Sequence, residues 1–391
     1  MKKSLLALAA MGAFVGAAQA QSSVTVYGLI DAGIGSGAVT FGAGGASKAS
    51  QNWIGGLSSA NGTGMEAGSR LGFRGVEDIG GGDTIGFVYE IGINLSNAQS
   101  STASPTTADV TTSMPNAAFF GNARQAYASI GNKSFGELRI GTQDSLAKNL
   151  LGGFDPGAEA LVTGATSLYQ QGVVVRYSQA ATYQAPTIAG VVVRAQYAND
   201  GTTYGNAGAT NTATTNNASS VSARWSQGPA AVGMVYEVRN QFTPTAVAVN
   251  VSNAMLPSLA TTANVPSIAQ FGAGASYNLG MVTPSVMYYN QKWNNPANAA
   301  ASGAITGTQL GAIVPVGKAV NIRASYTIGN VQNNSSNLYN TNAAQAMVDY
   351  SLSKRSRLYG IYGQTNWNSQ RESYTASVKV QQYGLGLLHT F

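Results

Sequence analysis

Three arginines stand where a strand would aim them the same way. In residues 69–75, Ser-Arg-Leu-Gly-Phe-Arg-Gly, Arg70, Gly72 and Arg74 occupy one parity, and Leu71 and Phe73 the other. Arg139 sits likewise between Leu138 and Ile140. Strand side chains alternate between faces, so an apolar face turned towards lipid leaves all three guanidinium groups on the wet face. Such a row attracts and steers anions without making or breaking bonds. Covalent and metal chemistry have little to build with. The chain has no Cys and one His, His389, which excludes a His-based triad or a multi-histidine zinc site. A carboxylate pair of the glycosidase kind stays open, but acids cluster nowhere beyond the segment 144–171. Gly-Ile-Gly-Ser-Gly-Ala (33–38) fits a dinucleotide fingerprint, yet the Gly/Ser-rich run after it is no helix, and a flexible surface loop is expected there.

The elements holding these residues are short alternating stretches. Val221, Ala223 and Trp225 oppose Ser222, Arg224 and Ser226; Val320, Ile322, Ala324, Tyr326 and Ile328 oppose Asn321, Arg323, Ser325 and Thr327. Each reads as a strand with one apolar and one wet face. The gaps between them alternate in length. Short ones lie at 78–83, 131–136, 227–230, 278–281, 315–318 and 353–356, and long ones at 37–66, 96–121, 144–171, 200–217 and 241–266. About sixteen strands result, near residues 24, 70, 85, 124, 137, 177, 190, 219, 231, 268, 282, 304, 319, 343, 357 and 376. An even count, with short turns at one end and long loops at the other, describes an up-and-down membrane barrel.

The chain ends fit that architecture. Residues 1–20 have two lysines, an apolar stretch and Ala-Gln-Ala, the pattern of a secretory signal peptide, leaving 21–391 as the barrel. A secreted chain without Cys holds together by hydrogen bonds and burial rather than disulfides. Only 9% of residues are charged, and no Lys/Arg cluster of the nucleic-acid-binding kind occurs. At the C-terminus Tyr383, Leu385, Leu387, His389 and Phe391 share one face, and Gln382, Gly384, Gly386, Leu388 and Thr390 the other. The last strand is expected to pair with the first, because lipid offers no partner to an open edge. Phe391 would then stand at a membrane interface.

Several segments resemble the general porins of β-proteobacteria. They are Ser-Val-Thr-Val-Tyr-Gly-Leu-Ile-Asp-Ala-Gly-Ile from residue 23, the stretches 69–82, 124–145, 181–190 and 350–363, and the closing Tyr-Gly-Leu-Gly-Leu-Leu-His-Thr-Phe. The resemblance spans the mature chain. It implies an all-β, sixteen-stranded antiparallel transmembrane barrel with short periplasmic turns, long external loops and an inward-folded third loop. It also implies a homotrimer among outer-membrane lipid and lipopolysaccharide, without cofactor, metal or nucleic acid, passing small hydrophilic solutes and ions. By the same resemblance Arg176 points inwards, and 144–171, with Lys148, is the third loop that narrows the barrel. Its Asp144, Asp155 and Glu159 would face the arginines and set up a transverse field, or each would pair with a neighbouring base and hold the loop. Thr142 departs from the family, which carries an arginine there.

Mild anion preference is expected from the inward arginines. Small outward residues, Gly28, Ala126 and Ala128, suit close packing of barrels. Ser-Lys-Arg-Ser-Arg (353–357) is expected to stay solvated at a tight turn, near lipid head groups. Three other readings are carried forward: a solute-specific channel using Tyr169, Trp293 and Trp367 to stack on sugars, a barrel enzyme, and an adhesin.

Overall fold

The computed structural model describes residues 23–41, 47–56, 64–95, 120–157, 176–204, 213–242, 265–294, 302–333, 336–369 and 377–391. The signal-peptide stretch, Glu159 and Tyr169 lie outside them. The first elements are β1 (Ser23–Phe41), β2 (Ser47–Ile54), β3 (Arg70–Gly80), β4 (Asp83–Ile93), β5 (Phe120–Asn132) and β6 (Gly136–Asp144). A short helix, α1 (Leu146–Gly152), follows, then β7 (Arg176–Gln184), β8 (Val191–Tyr204), β9 (Ala213–Gln227), β10 (Ala230–Phe242) and β11 (Val265–Tyr277). The chain continues through β12 (Thr283–Asn294), β13 (Gly303–Val316), β14 (Val320–Asn333), β15 (Ser336–Ser351), β16 (Ser356–Ser369) and β17 (Val378–Thr390).

Every strand pairs antiparallel with its neighbours, and β17 returns to β1 to close the wall. In the closing seam Ile34 stands opposite Leu385, and Gly33 opposite Gly386. The last residue takes part: Phe391 N donates to Gly28 O, and Gly28 N to Phe391 O, both at 3.1 Å. Closure satisfies the backbone groups that lipid would leave unpaired.

Alternation sets the two faces. Val24, Val26, Ile34, Ile140, Met234, Leu310, Tyr383 and Leu385 are exposed on the outside of the wall. Gln196, Gln270, Gln309, Thr327 and Gln345 are buried within it. Apolar residues therefore face outwards and polar ones inwards, the reverse of a soluble protein. Short turns reverse the chain at one end, helped by glycines such as Gly228 (φ 58°) and Gly317 (φ 65°), a left-handed backbone that side chains disfavour.

Four expectations change. The stretch 37–66 is not a single loop, because β1 continues to Phe41 and β2 occupies 47–54. Both β2 and β3 pair with β1, at opposite ends of it, so together they form one of sixteen staves, interrupted by 55–69. Residues 33–38 accordingly lie inside β1 rather than in a surface loop. Finally, Arg357 leaves the basic turn and points inwards, where Glu66 binds it. The gap 200–217 also narrows, since β8 runs to Tyr204 and β9 starts at Ala213.

Candidate functional site

The lumen is narrowed by the chain that follows β6. Ser145 caps α1, its Oγ accepting the Lys148 N–H at 3.1 Å. One face of the helix is apolar and buried: Leu146, Ala147, Leu150 and Leu151, with Phe154 just beyond. That face lies on the inner wall, where glycines leave room for it. A Cβ added at Gly233 would come within 2.9 Å of Leu150, and one at Gly272 within 2.8 Å of Leu151. Gly274 faces Phe154, and Gly311 faces Pro156, as closely. Asp155 ties down the far end: its Oδ1 accepts from Gln309 Nε2 at 2.9 Å and from Gly157 N at 3.0 Å. The segment thus runs round the inside from β6 to β13.

The wall from β3 to β9 is strongly basic. Arg124 Nε lies 2.6 Å from Glu90 Oε1, with Arg70 Nε 4.0 Å from the other oxygen. Asp144 takes Arg176 Nε at 2.7 Å and Lys148 Nζ at 2.8 Å. Nearer the short turns, Arg139 pairs with Glu137 at 2.7 Å and lies over the Tyr127 ring. Arg74 lies over Tyr27, its guanidinium 5.3 Å from the ring centre. Arg194 donates to Gln184 Oε1 at 2.8 Å, and Arg224 lies 5.1 Å above Phe154. Among the described residues, the carboxylates paired with this wall are Glu90, Glu137 and Asp144.

On the opposite wall residues 64–69, just before β3, lie inside the lumen. Asp31 Oδ2 accepts the backbone N–H groups of Met65, Glu66 and Ala67 at 3.0, 2.8 and 2.7 Å. Its Oδ1 accepts from the Tyr359 hydroxyl. Glu66 in turn receives Arg357 through two nitrogens, at 3.0 and 2.5 Å, and Arg323 at 3.2 Å. Arg323 also reaches Asp349 at 2.8 Å. Glycines again make the seat: Met65 lies against Gly33 and Gly384, and Trp53 against Gly35 and Gly37.

Of the residues expected at the site, Arg70, Arg176, Lys148 and Asp144 converge, while Arg74 and Arg139 stand one step towards the short turns. Asp144 does not face the arginines across a gap but pairs directly with two bases, and Asp155 is engaged by Gln309 on β13. Thr142 joins neither group; it pairs with Ala126, and its hydroxyl donates to Ser178 O at 3.2 Å. Trp367 is 2% exposed and edge-on to Tyr339, so it offers no free face for a sugar, and Trp293 is partly buried against the same cluster.

Sequence reasoning missed Arg124 and Glu90. Strict alternation puts Arg124 with Ala126 and Ala128 on the outer face. In the structure Gln125 pairs with Glu90 and Ala123 with Ile91, so Arg124 is the extra residue of a bulge and turns inwards. No signal in the sequence marks that bulge.

Known proteins of this architecture are recognisable along most of the chain. A family model described as Gram-negative porin matches residues 7–370. An outer membrane porin protein of Bordetella pertussis is 34% identical over 201 residues, 49% of this chain and 46% of that protein. Outer membrane porin protein 32 of Delftia acidovorans is 41% identical over 90 residues, 23% of this chain and 22% of the relative. The aligned parts thus span less than half the length of either curated relative. An anion-selective porin from Comamonas acidovorans superposes with a TM-score of 0.66 at 20% identity, over 95% of this chain and all of that one. A trimer form of the Vibrio cholerae outer membrane protein OmpT superposes at 0.58 and 14% identity, over 95% of this chain and 99% of that one. These structures share the closed β-barrel fold, and the chain belongs to the Gram-negative porin family of the outer membrane.

Proposed function

We propose that the protein is a channel for passive diffusion of ions and small hydrophilic solutes across the outer membrane, with a preference for anions. The observation that carries this is the basic wall: Arg70, Arg74, Arg124, Arg139, Arg176, Arg194, Arg224 and Lys148, with Glu90, Glu137 and Asp144 as its ion-pair partners among the described residues. Positive excess in a narrow passage with low-dielectric walls lowers the barrier for anions and raises it for cations. The second acidic group, Asp31, Glu66 and Asp349, is met by Arg323 and Arg357, so it offsets that excess by one charge. A superposable Comamonas porin is described as anion-selective, in line with this reading.

Residues 1–20 act as an export signal and are removed. The working unit is a homotrimer, its contacts including the small outward residues Ala126 and Ala128, whereas Gly28 is covered by the Phe391 ring; an OmpT structure of the same fold is described as a trimer form. Lipid and lipopolysaccharide cover the remaining apolar outer surface. No reaction is part of this function. The test is the reversal potential in a KCl gradient across a planar bilayer: a value towards the chloride equilibrium potential is expected. A value towards that of potassium would remove the preference, and absence of conductance would remove the channel.

A further inference from the structure

We propose that Arg194 and Arg224 form a binding site for a tetrahedral oxyanion of the phosphate type, between the constriction and the short-turn end of the lumen. This rests on the channel reading above and adds a ligand class to it. In the β8–β9 register Arg194 stands opposite Ser222, and Arg224 opposite Val192. The two arginines are therefore diagonal neighbours on one face, roughly 7–8 Å apart at the backbone, within reach of one another's side chains. Among the described residues no carboxylate comes within 4.0 Å of either. The nearest acid along the wall, Glu137, is taken by Arg139.

Both guanidinium groups are nonetheless held in place by neutral partners. Arg194 Nε donates to Gln184 Oε1 at 2.8 Å. Arg224 Nε donates to Ser226 Oγ at 3.3 Å, and its plane lies over Phe154. Each arginine spends its Nε–H on the wall and keeps terminal N–H groups for a ligand, except Arg224 Nη1, which packs against Gly153. Two like charges this close and partly out of water, with Glu137 acting on Arg194 only from beyond ion-pair reach, repel each other, and a multivalent anion between them relieves the repulsion. Paired N–H forks match the spacing of oxygens on one phosphorus or sulfur better than they match a spherical halide. The Phe154 contact places the site directly under the segment that narrows the channel, where an occupied site obstructs chloride.

The experiment adds inorganic phosphate to chloride-conducting channels in a planar bilayer. Chloride current is expected to fall saturably with phosphate. Arg194→Gln should raise the half-blocking concentration about tenfold, the loss of roughly one strong charge-assisted contact. Arg194→Lys keeps the charge but loses the fork, and should give a smaller shift. Arg74→Gln is the charge-matched control: it removes one lumen charge of the basic wall away from the pair, and should shift the midpoint far less than Arg194→Gln does. Chloride conductance through each variant reports a folded barrel. An anion-preferring channel that phosphate does not block saturably overturns the site alone, as do equal midpoint shifts in Arg74→Gln and Arg194→Gln. A cation-preferring or silent channel overturns the site together with the reading it rests on.

Discussion

Glu66 is the most constrained charge in the lumen. Its side chain is 1% exposed, held by two arginines, and its own backbone N–H is held by Asp31. A carboxylate taken out of water persists only where its lone pairs are matched, and here Arg357 and Arg323 supply the match. Removing its charge alone by Glu66→Gln should cost roughly 2 kcal/mol, below the roughly 3–5 of a fully buried pair because Arg357 still touches water. Thermal unfolding in detergent measures that cost. The same variant leaves Arg357 without its carboxylate while Arg323 keeps Asp349, so the reversal potential should move further to the anion side. An unchanged potential would mean that Asp349 and solvent already neutralise them. None of this network was legible in the sequence. Glu66 sits at the edge of a Gly/Ser-rich stretch that reads as loop, and its partners are more than 250 positions away. Arg70, Arg139 and Arg176 were legible because neighbours of known parity flank them or a motif carries them; Arg124 was not, because a bulge breaks the parity it would be read from.

At the level of elements, α1 is too short to be stable by itself, and packing holds it. Its buried face needs a wall without side chains, and Gly233 and Gly272 supply one, with Gly274 and Gly311 extending it to Phe154 and Pro156. Their roles are mutual: the glycines weaken their strands slightly, and the inward segment covers them. Gly274→Val should therefore leave the outer wall intact while pushing Phe154 and its segment towards the middle of the lumen. Single-channel conductance should fall by about half or more, with a cost of about 1–3 kcal/mol from overpacking. Unchanged conductance would show that Phe154 lies clear of the ion path. The glycine seats also explain why β2 was missed. Gly33, Gly35 and Gly37 look like loop residues, but in β1 they make space for Met65 and Trp53, which a larger side chain would exclude. Composition reports glycine content; only the three-dimensional partner says what the space is for.

For the whole molecule, alternation was the dominant signal, and it survives because the bilayer and the water-filled lumen apply opposite demands to successive residues. That is why fifteen of the strand positions read from periodicity alone coincide with full staves, and why the closing seam was visible in Tyr383, Leu385, Leu387 and Phe391. The interrupted stave remained hidden since its two halves share a partner strand, which no local pattern encodes. The same two-sided demand yields a direct contrast. Leu385 lies mid-strand in β17 and is 64% exposed on the outer face. Leu385→Arg places a charge in hydrocarbon and should destabilise the barrel by about 2–4 kcal/mol, measured by reversible unfolding in lipid bilayers. Ser129 stands opposite Arg139 on the lumen face, with Glu137 close by to accept a new base. Ser129→Arg should therefore cost under about 1 kcal/mol, since the added charge meets water and a carboxylate. Its effect should appear instead as a lower single-channel conductance, from the bulk added to the passage. Equal destabilisation by the two substitutions would contradict the assignment of faces, because a wall bounded by one solvent on both sides has no reason to tell them apart.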